Sequence, residues 1–164
     1  MQHFRVIALL ALLPLLLCSC KGTSFRSSVP AYPVRVVIDT RQGPYVHFQP
    51  TSMGEYITVT DKGYDYGSYH APLLVTDAYG YGGVVVYVSA FGYVAFDMAC
   101  PECAAHGMCQ SCEIDGIYAR CPECGEEYDL SVGTAAPQHG IAHEMMRRLN
   151  LLDSDGKLTV SQQR

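Results

Sequence analysis

Apolar and polar positions along most of this chain alternate with a period of two, and runs of helical period are nearly missing. VRVVID at 34–39 and YITVT at 56–60 are short alternating runs that predict strands. GVVVYVSAFGYVAFD at 83–97 is the clearest β signal. Its two β-branched and aromatic runs flank a turn near 89–92 and predict a hairpin. IYAR at 117–120 and YDL at 128–130 predict two further short strands. Near the C-terminus, RRLNLL at 147–152 and KLTV at 157–160 flank Asp153-Ser154-Asp155-Gly156, a strong turn signal, and so predict a closing hairpin. Only 142–148 has helical character. From 61 to 83, Tyr64, Tyr66, Tyr69, Tyr79 and Tyr81 alternate with Gly63, Gly67, Gly80, Gly82 and Gly83. This stretch predicts a loop or a set of short turns, with tyrosines packed over sheet edges rather than forming a contact surface. The pattern as a whole predicts an all-β domain with long loops and no internal boundary.

The N-terminus follows a different pattern. Arg5 precedes an apolar run from Val6 to Leu17, interrupted by Pro14 and too short for a membrane-spanning helix. It reads as a secretory signal, 1–19. Leu17-Cys18-Ser19-Cys20 resembles the lipobox of bacterial lipoproteins, with an aliphatic residue three before the cysteine and a small one directly before it. By that resemblance, cleavage after Ser19 leaves Cys20 as the lipidated terminus, and 20–28, polar and rich in Ser, Thr and Gly, is its tether. Several acyl chains would hold stably, at about 0.8 kcal/mol per buried CH₂. The expected location is the bacterial cell envelope, lipid-anchored and facing the periplasm or the cell surface.

Charge narrows the partners. From Cys20 onward the chain carries ten basic and sixteen acidic residues, a net charge near −6. No basic cluster exceeds Arg147-Arg148, which argues against nucleic-acid binding.

The chemistry concentrates in residues 100–124. Cys100-Pro-Glu-Cys103 and Cys121-Pro-Glu-Cys124-Gly125 are copies of one pattern, and seventeen residues separate the inner cysteines. Proline after the first cysteine fixes φ, and Gly125 lets the backbone curl. Two such knuckles supply four thiolates, enough for a tetrahedral ion or an iron–sulfur cluster. Cys109-Gln-Ser-Cys112 lies between them as a disulfide, free thiols or alternative ligands. Three disulfides and no metal is the competing reading for a protein outside the cytoplasm. Against it, paired Cys-x-x-Cys loops with proline inside are shaped for sulfurs converging on an ion.

Other motifs carry less. His143-Glu144-Met145-Met146-Arg147 begins like a zinc-protease helix, but Arg147 stands where the second histidine belongs. No Ser/His/Asp set, phosphate loop or carboxylate pair can be argued from the spacing, so the chain reads as a carrier or binding module rather than an independent catalyst.

The order of hairpin, first knuckle, second knuckle flanked by strands, and closing hairpin resembles the Rieske domain over roughly residues 29–160. Cys121-Pro-Glu-Cys124-Gly125-Glu126-Glu127-Tyr128-Asp129-Leu130 is similar to that family's Cys-Pro-Cys-His-Gly-Ser-x-Phe-Asp-Leu. Gly133, Gly140-Ile141-Ala142 with Met146, and Asp155 to Val160 are similar to its later Gly, Gly-Pro-Ala and terminal-hairpin positions. The start, Val29-Pro30-Ala31-Tyr32-Pro33-Val34, looks like Rieske-like lipoproteins of Bacteroides-type bacteria. The resemblance implies one Rieske-like β domain over 29–164, a [2Fe–2S] cluster and a redox protein partner.

The departures fall on the ligands. Cys124 and Glu102 stand where the family has its two cluster histidines, and Glu126 replaces a serine that hydrogen-bonds the cluster. Tyr128, in the Phe position, is expected beneath the knuckle as core. His139 is a candidate for the outer shell, and His106 reads as a surface residue. The ligand set is then Cys100, Cys103, Cys121 and Cys124, holding a [2Fe–2S] cluster, a single Fe or a Zn ion. Two functions follow: outer-sphere electron transfer by a membrane-anchored metal protein, or a non-redox module whose zinc or disulfides hold its loops.

Overall fold

The computed structural model describes residues 27–163, so the signal segment and Cys20 lie outside the described residues. The domain is all-β, built from three small antiparallel sheets. The first has the order β12-β13-β1-β5, from Asn150–Ser154, Lys157–Ser161, Val34–Asp39 and Ala78–Tyr79. The second has the order β4-β3-β2-β6-β7, from Tyr69–Ala71, Gly63–Tyr66, Tyr56–Thr60, Val84–Ser89 and Gly92–Asp97. The third has the order β11-β10-β9-β8, from Ala136–Pro137, Glu127–Asp129, Tyr118–Arg120 and Glu113–Asp115.

The hairpin β6-β7 is the spine. Every residue of β6 is buried, because both of its faces are covered. Val84, Val86 and Val88 face one core with Val36, Ile38, Ile57, Val59, Leu158 and Val160. Val85 and Tyr87, with Val94 and Phe96 of β7, face the other core with Ala119, Tyr128, Leu130 and the cysteines. A strand covered on both faces needs an unbroken apolar run, which explains why VVVYV does not alternate with polar residues as an edge strand would. The predicted hairpin therefore carries the cysteine knuckles on one side and the body of the protein on the other.

Two expectations are corrected. Residues 142–148 form no helix: the segment passes Ala135, Phe96 and Ala95 through single backbone contacts, Met146 N to Ala135 O at 3.1 Å, the Phe96–Arg148 bridge and Leu149 N to Ala95 O at 2.9 Å. Its apolar residues Ala142, Met146 and Leu149 are pinned by tertiary packing, which overrides a weak local preference. The stretch 61–83 is also more ordered than a loop, since β3, β4 and β5 lie in it. Its tyrosines do pack over a sheet edge: Tyr64 is buried, and Tyr66 and Tyr69 contact Tyr45, with Tyr66 also edge-on to Phe48.

Candidate metal centre

The two knuckles arise from different local structures. Cys100 caps a single-turn helix α1, Pro101–Ala105, whose proline at the first helical position already has the required φ. Ala104 N donates to Cys100 O at 3.0 Å, and Cys103 follows three residues on, on the same face as Cys100. The second knuckle is a turn: Gly125 N donates to Cys121 O at 3.0 Å, and Cys121 N donates to Glu126 O at 2.9 Å. Gly125 has φ +76°, which a residue with a Cβ adopts only under strain. Identical sequence motifs thus present their sulfurs by a helical turn in one case and a glycine-closed turn in the other.

The four sulfurs meet. Those of Cys100, Cys103, Cys121 and Cys124 all lie within 4.8 Å of one another. Across the loops, Cys100 and Cys124 are 3.6 Å apart, and Cys103 and Cys121 are also 3.6 Å apart. Metal–sulfur bonds of about 2.3 Å give a tetrahedral edge of about 3.8 Å. A two-iron core instead places two thiolate pairs on opposite irons, separated by the length of the core. The donor set and its spacing therefore fit one tetrahedral ion. Cys100, Cys103 and Cys121 are buried, whereas Cys124 is partly exposed and brings one edge of the site to solvent.

The chemistry of the thiols points the same way. Four thiolates this close would repel one another, and only a cation offsets that charge. Burial, then the neighbouring thiols, pushes the Cys103 thiol up. Burial is also the main reason Cys124 is raised. Cys100 is held low, first by the neighbouring Cys112 thiol, against the opposing cost of burial, then by Tyr128. The Tyr128 hydroxyl lies 3.4 Å from the Cys100 sulfur.

Two buried carboxylates brace the loops. Both Glu126 oxygens are fully buried among backbone donors: Glu127, Gln138 and His139 N to Oε1 at 3.2, 3.0 and 2.7 Å, and Ile141 and Ala142 N to Oε2 at 2.9 Å each. Burial alone would raise its pKa, but the combined N–H donors bring it below the usual glutamate range. Asp97 likewise braces the stretch before the first knuckle, accepting from the N–H groups of Tyr81, Gly82 and Ala99 at 2.8 to 3.0 Å, but there burial outweighs the donors and raises its pKa.

The remaining predicted residues are dispersed. Cys109 and Cys112 are free thiols. Cys109 is exposed, its thiol 3.4 Å from Tyr81 O, while Cys112 is buried in the cluster that contains Cys100, Cys103 and Cys121. His106 is a surface residue 3.1 Å from Glu102. His139 is half-exposed, 3.8 Å from Glu126 and 3.7 Å from Glu127. Tyr128 is core as expected, but its hydroxyl also reaches the Cys100 sulfur. Glu126, in the place of a cluster-bonding serine, is turned instead to the 138–142 loop. A charged residue directly after the knuckle glycine, in a stretch otherwise apolar by alternation, was the available signal for such a brace.

Fold and site together define a small all-β domain with four cysteines on two facing loops whose sulfurs lie close enough to hold a metal ion. No family model matches the chain, and no curated protein matches it. Among solved structures it is similar to a chain of the complex of reduced oxygenase and oxidized ferredoxin in carbazole 1,9a-dioxygenase, with a TM-score of 0.44 and 14% identity over 80% of this chain and 97% of that one. It is also similar to the Sphingomonas yanoikuyae B1 ferredoxin, with a TM-score of 0.40 and 15% identity over 70% and 94% of the two chains.

Proposed function

We propose that this protein is a Rieske-like, lipid-anchored one-electron carrier of the bacterial envelope, with a single iron held by Cys100, Cys103, Cys121 and Cys124 in place of the His-ligated [2Fe–2S] centre. The observation that carries the proposal is the four-sulfur cluster, with cross-loop separations of 3.6 Å and one partly exposed member. Rieske-like descent is supported by the second-knuckle sequence and by the order of hairpin, knuckle, strands, knuckle and closing hairpin. The ion supplies a one-electron couple when bound, and the protein's part is to hold four thiolates in a fixed cage. Little reorganisation then accompanies the change of charge. Tyr128 donates to Cys100, Glu126 and Asp97 fix the flanking loops, and Cys124 provides the surface edge at which a redox protein would dock. The envelope location rests on the lipobox at Cys20.

A closed four-thiolate site is also how structural zinc is held, and the burial of three of the four sulfurs favours that second reading. The two part on metal content and colour. The full chain, purified anaerobically after expression with both metals supplied, is expected to contain one iron and to show sulfur-to-iron charge-transfer bands. One zinc and no visible absorbance would reject electron transfer and leave a stapled binding module.

A further inference from the structure

Residues 28–29 are fastened to the 139–148 segment. The Ser28 backbone N–H and hydroxyl both donate to the Glu144 carboxylate, to Oε2 at 2.6 Å and to Oε1 at 2.8 Å. Val29 is wholly buried, and its carbonyl accepts from Arg147 Nη1 at 2.7 Å. Backbone register places this clamp in the fold. Asp97 N donates to Arg147 O and Leu149 N donates to Ala95 O, each at 2.9 Å. Traced back from 149 to 145, the segment therefore runs past the Asp97 end of β7, the end that leads into the first knuckle. Ile141 and Ala142 donate to Glu126, two residues after Cys124. The chain thus enters the domain at the end that carries the cysteines. Phe91, in the β6-β7 turn, lies at the other end, about 20 Å away along the six residues of β7.

This end presents apolar and basic side chains. Ile141 and Met145 are 46% and 38% exposed. Between 138 and 148, two arginines stand against Glu144 alone, a local charge of +1 in a chain whose net charge is −5. Lys21 and Arg26, with no acidic residue, lie between Cys20 and Ser28. Those eight residues span at most about 28 Å, however they are arranged. An apolar tip ringed by positive charge and held this near a lipidated cysteine is complementary to an anionic headgroup layer. A second copy of the chain would instead set like charge against like. The turn with Leu74 and Val75 is more exposed, but the only charge in 72–77 is Asp77, the wrong sign for such a surface.

We propose that the 139–145 loop is a membrane-contact face: Ile141 and Met145 rest in the lipid surface, and the Ser28–Glu144 clamp sets the domain in that orientation. The inference rests on the lipid-anchor reading of Cys20. Two side chains orient the domain without holding it; the acyl chains do the holding. The second knuckle, tied to this loop through Glu126, then lies on the membrane-proximal end.

The chain contains no tryptophan, so a single introduced one reports its own depth. The full-length protein, lipidated in a bacterial host, is placed in vesicles of phosphatidylcholine and phosphatidylglycerol with brominated acyl chains. Tryptophan is introduced at exposed positions as Ile141→Trp, Val75→Trp or Phe91→Trp. Emission from Ile141→Trp is expected to shift to the blue on vesicle binding and to be quenched severalfold more than that of the other two. Adding Glu144→Ala to Ile141→Trp is expected to bring its quenching down to the level of Phe91→Trp. Equal quenching at all three positions, or the strongest at 75 or 91, would overturn the orientation. Bound protein with none of the three quenched would overturn the contact, and undiminished quenching with Glu144→Ala would overturn the clamp. Blue-shifted emission at 141 without vesicles would overturn the proposal in favour of a second copy covering this face. Wild-type protein that stays off the vesicles would remove the anchor reading, and this inference with it.

Discussion

Glu126 is the residue on which the region behind the second knuckle depends. Its carboxylate satisfies five backbone donors, four of them in the 138–142 loop. An amide in its place keeps the shape but loses the charge and turns an N–H₂ toward N–H groups. Glu126→Gln is therefore expected to cost about 3 kcal/mol, the scale of weakening charge-assisted bonds to a buried group. The sign with pH follows from its lowered folded-state pKa: the carboxylate's contribution is complete above its unfolded value of about 4.3 and is lost as pH falls through the lower folded value. Denaturant midpoints of wild type and variant should thus be furthest apart near neutrality and converge in acid. A gap independent of pH would mean that the carboxylate charge is not what holds the loop. At this scale the sequence was only partly legible. The ligand cysteines stand out by spacing alone, but nothing in a linear pattern tells where Glu126 points or that the hydroxyl of Tyr128 finds a sulfur.

At the scale of elements, the packing of the hairpin β6-β7 against the knuckles sets the tolerance. Gly82 passes so close to the first knuckle that a Cβ there would meet Ala99 N at 2.3 Å and Ala99 Cα at 2.6 Å. These are backbone atoms that cannot rotate away, and Gly82 N is also held by Asp97. Gly82→Ala is expected to destabilise by at least the 1–3 kcal/mol typical of overpacking and to lower metal retention, read as melting temperature and bound metal after gel filtration. Retention equal to wild type would show that the two segments separate freely. The cysteines divide by position: Cys103→Ser should abolish stoichiometric metal binding, whereas Cys109→Ser, at an exposed thiol, should leave it intact. Equal loss in both would place Cys109 in the ligand set. The strands were largely legible because β-branched runs bounded by turn residues report directly on the pleat. The helix expected over 142–148 was not, since its apolar residues are spaced for three separate tertiary contacts rather than one helical face. Sheet partners such as β1 with β13 join distant segments, and no local pattern records them.

For the molecule as a whole, the proposed anchor and the proposed metal centre make separate demands. No helix among the described residues is long and apolar enough to cross a membrane. Membrane attachment in this account therefore rests on Cys20, and Cys20→Ser is expected to move the protein from the membrane to the soluble fraction without changing its metal content. Retention in the membrane fraction would refute the lipid anchor. The order of hairpin, knuckles and closing hairpin was readable from the sequence because its loops sit between strong β signals. The kind of centre was not, because two Cys-x-x-Cys loops serve one ion or several equally well until the distances between their sulfurs are known. X-ray absorption at the iron edge of the iron-loaded protein addresses that point most directly. The account predicts one shell of four sulfurs near 2.3 Å and no metal neighbour; a second iron close by, or a nitrogen from histidine in that shell, would contradict it.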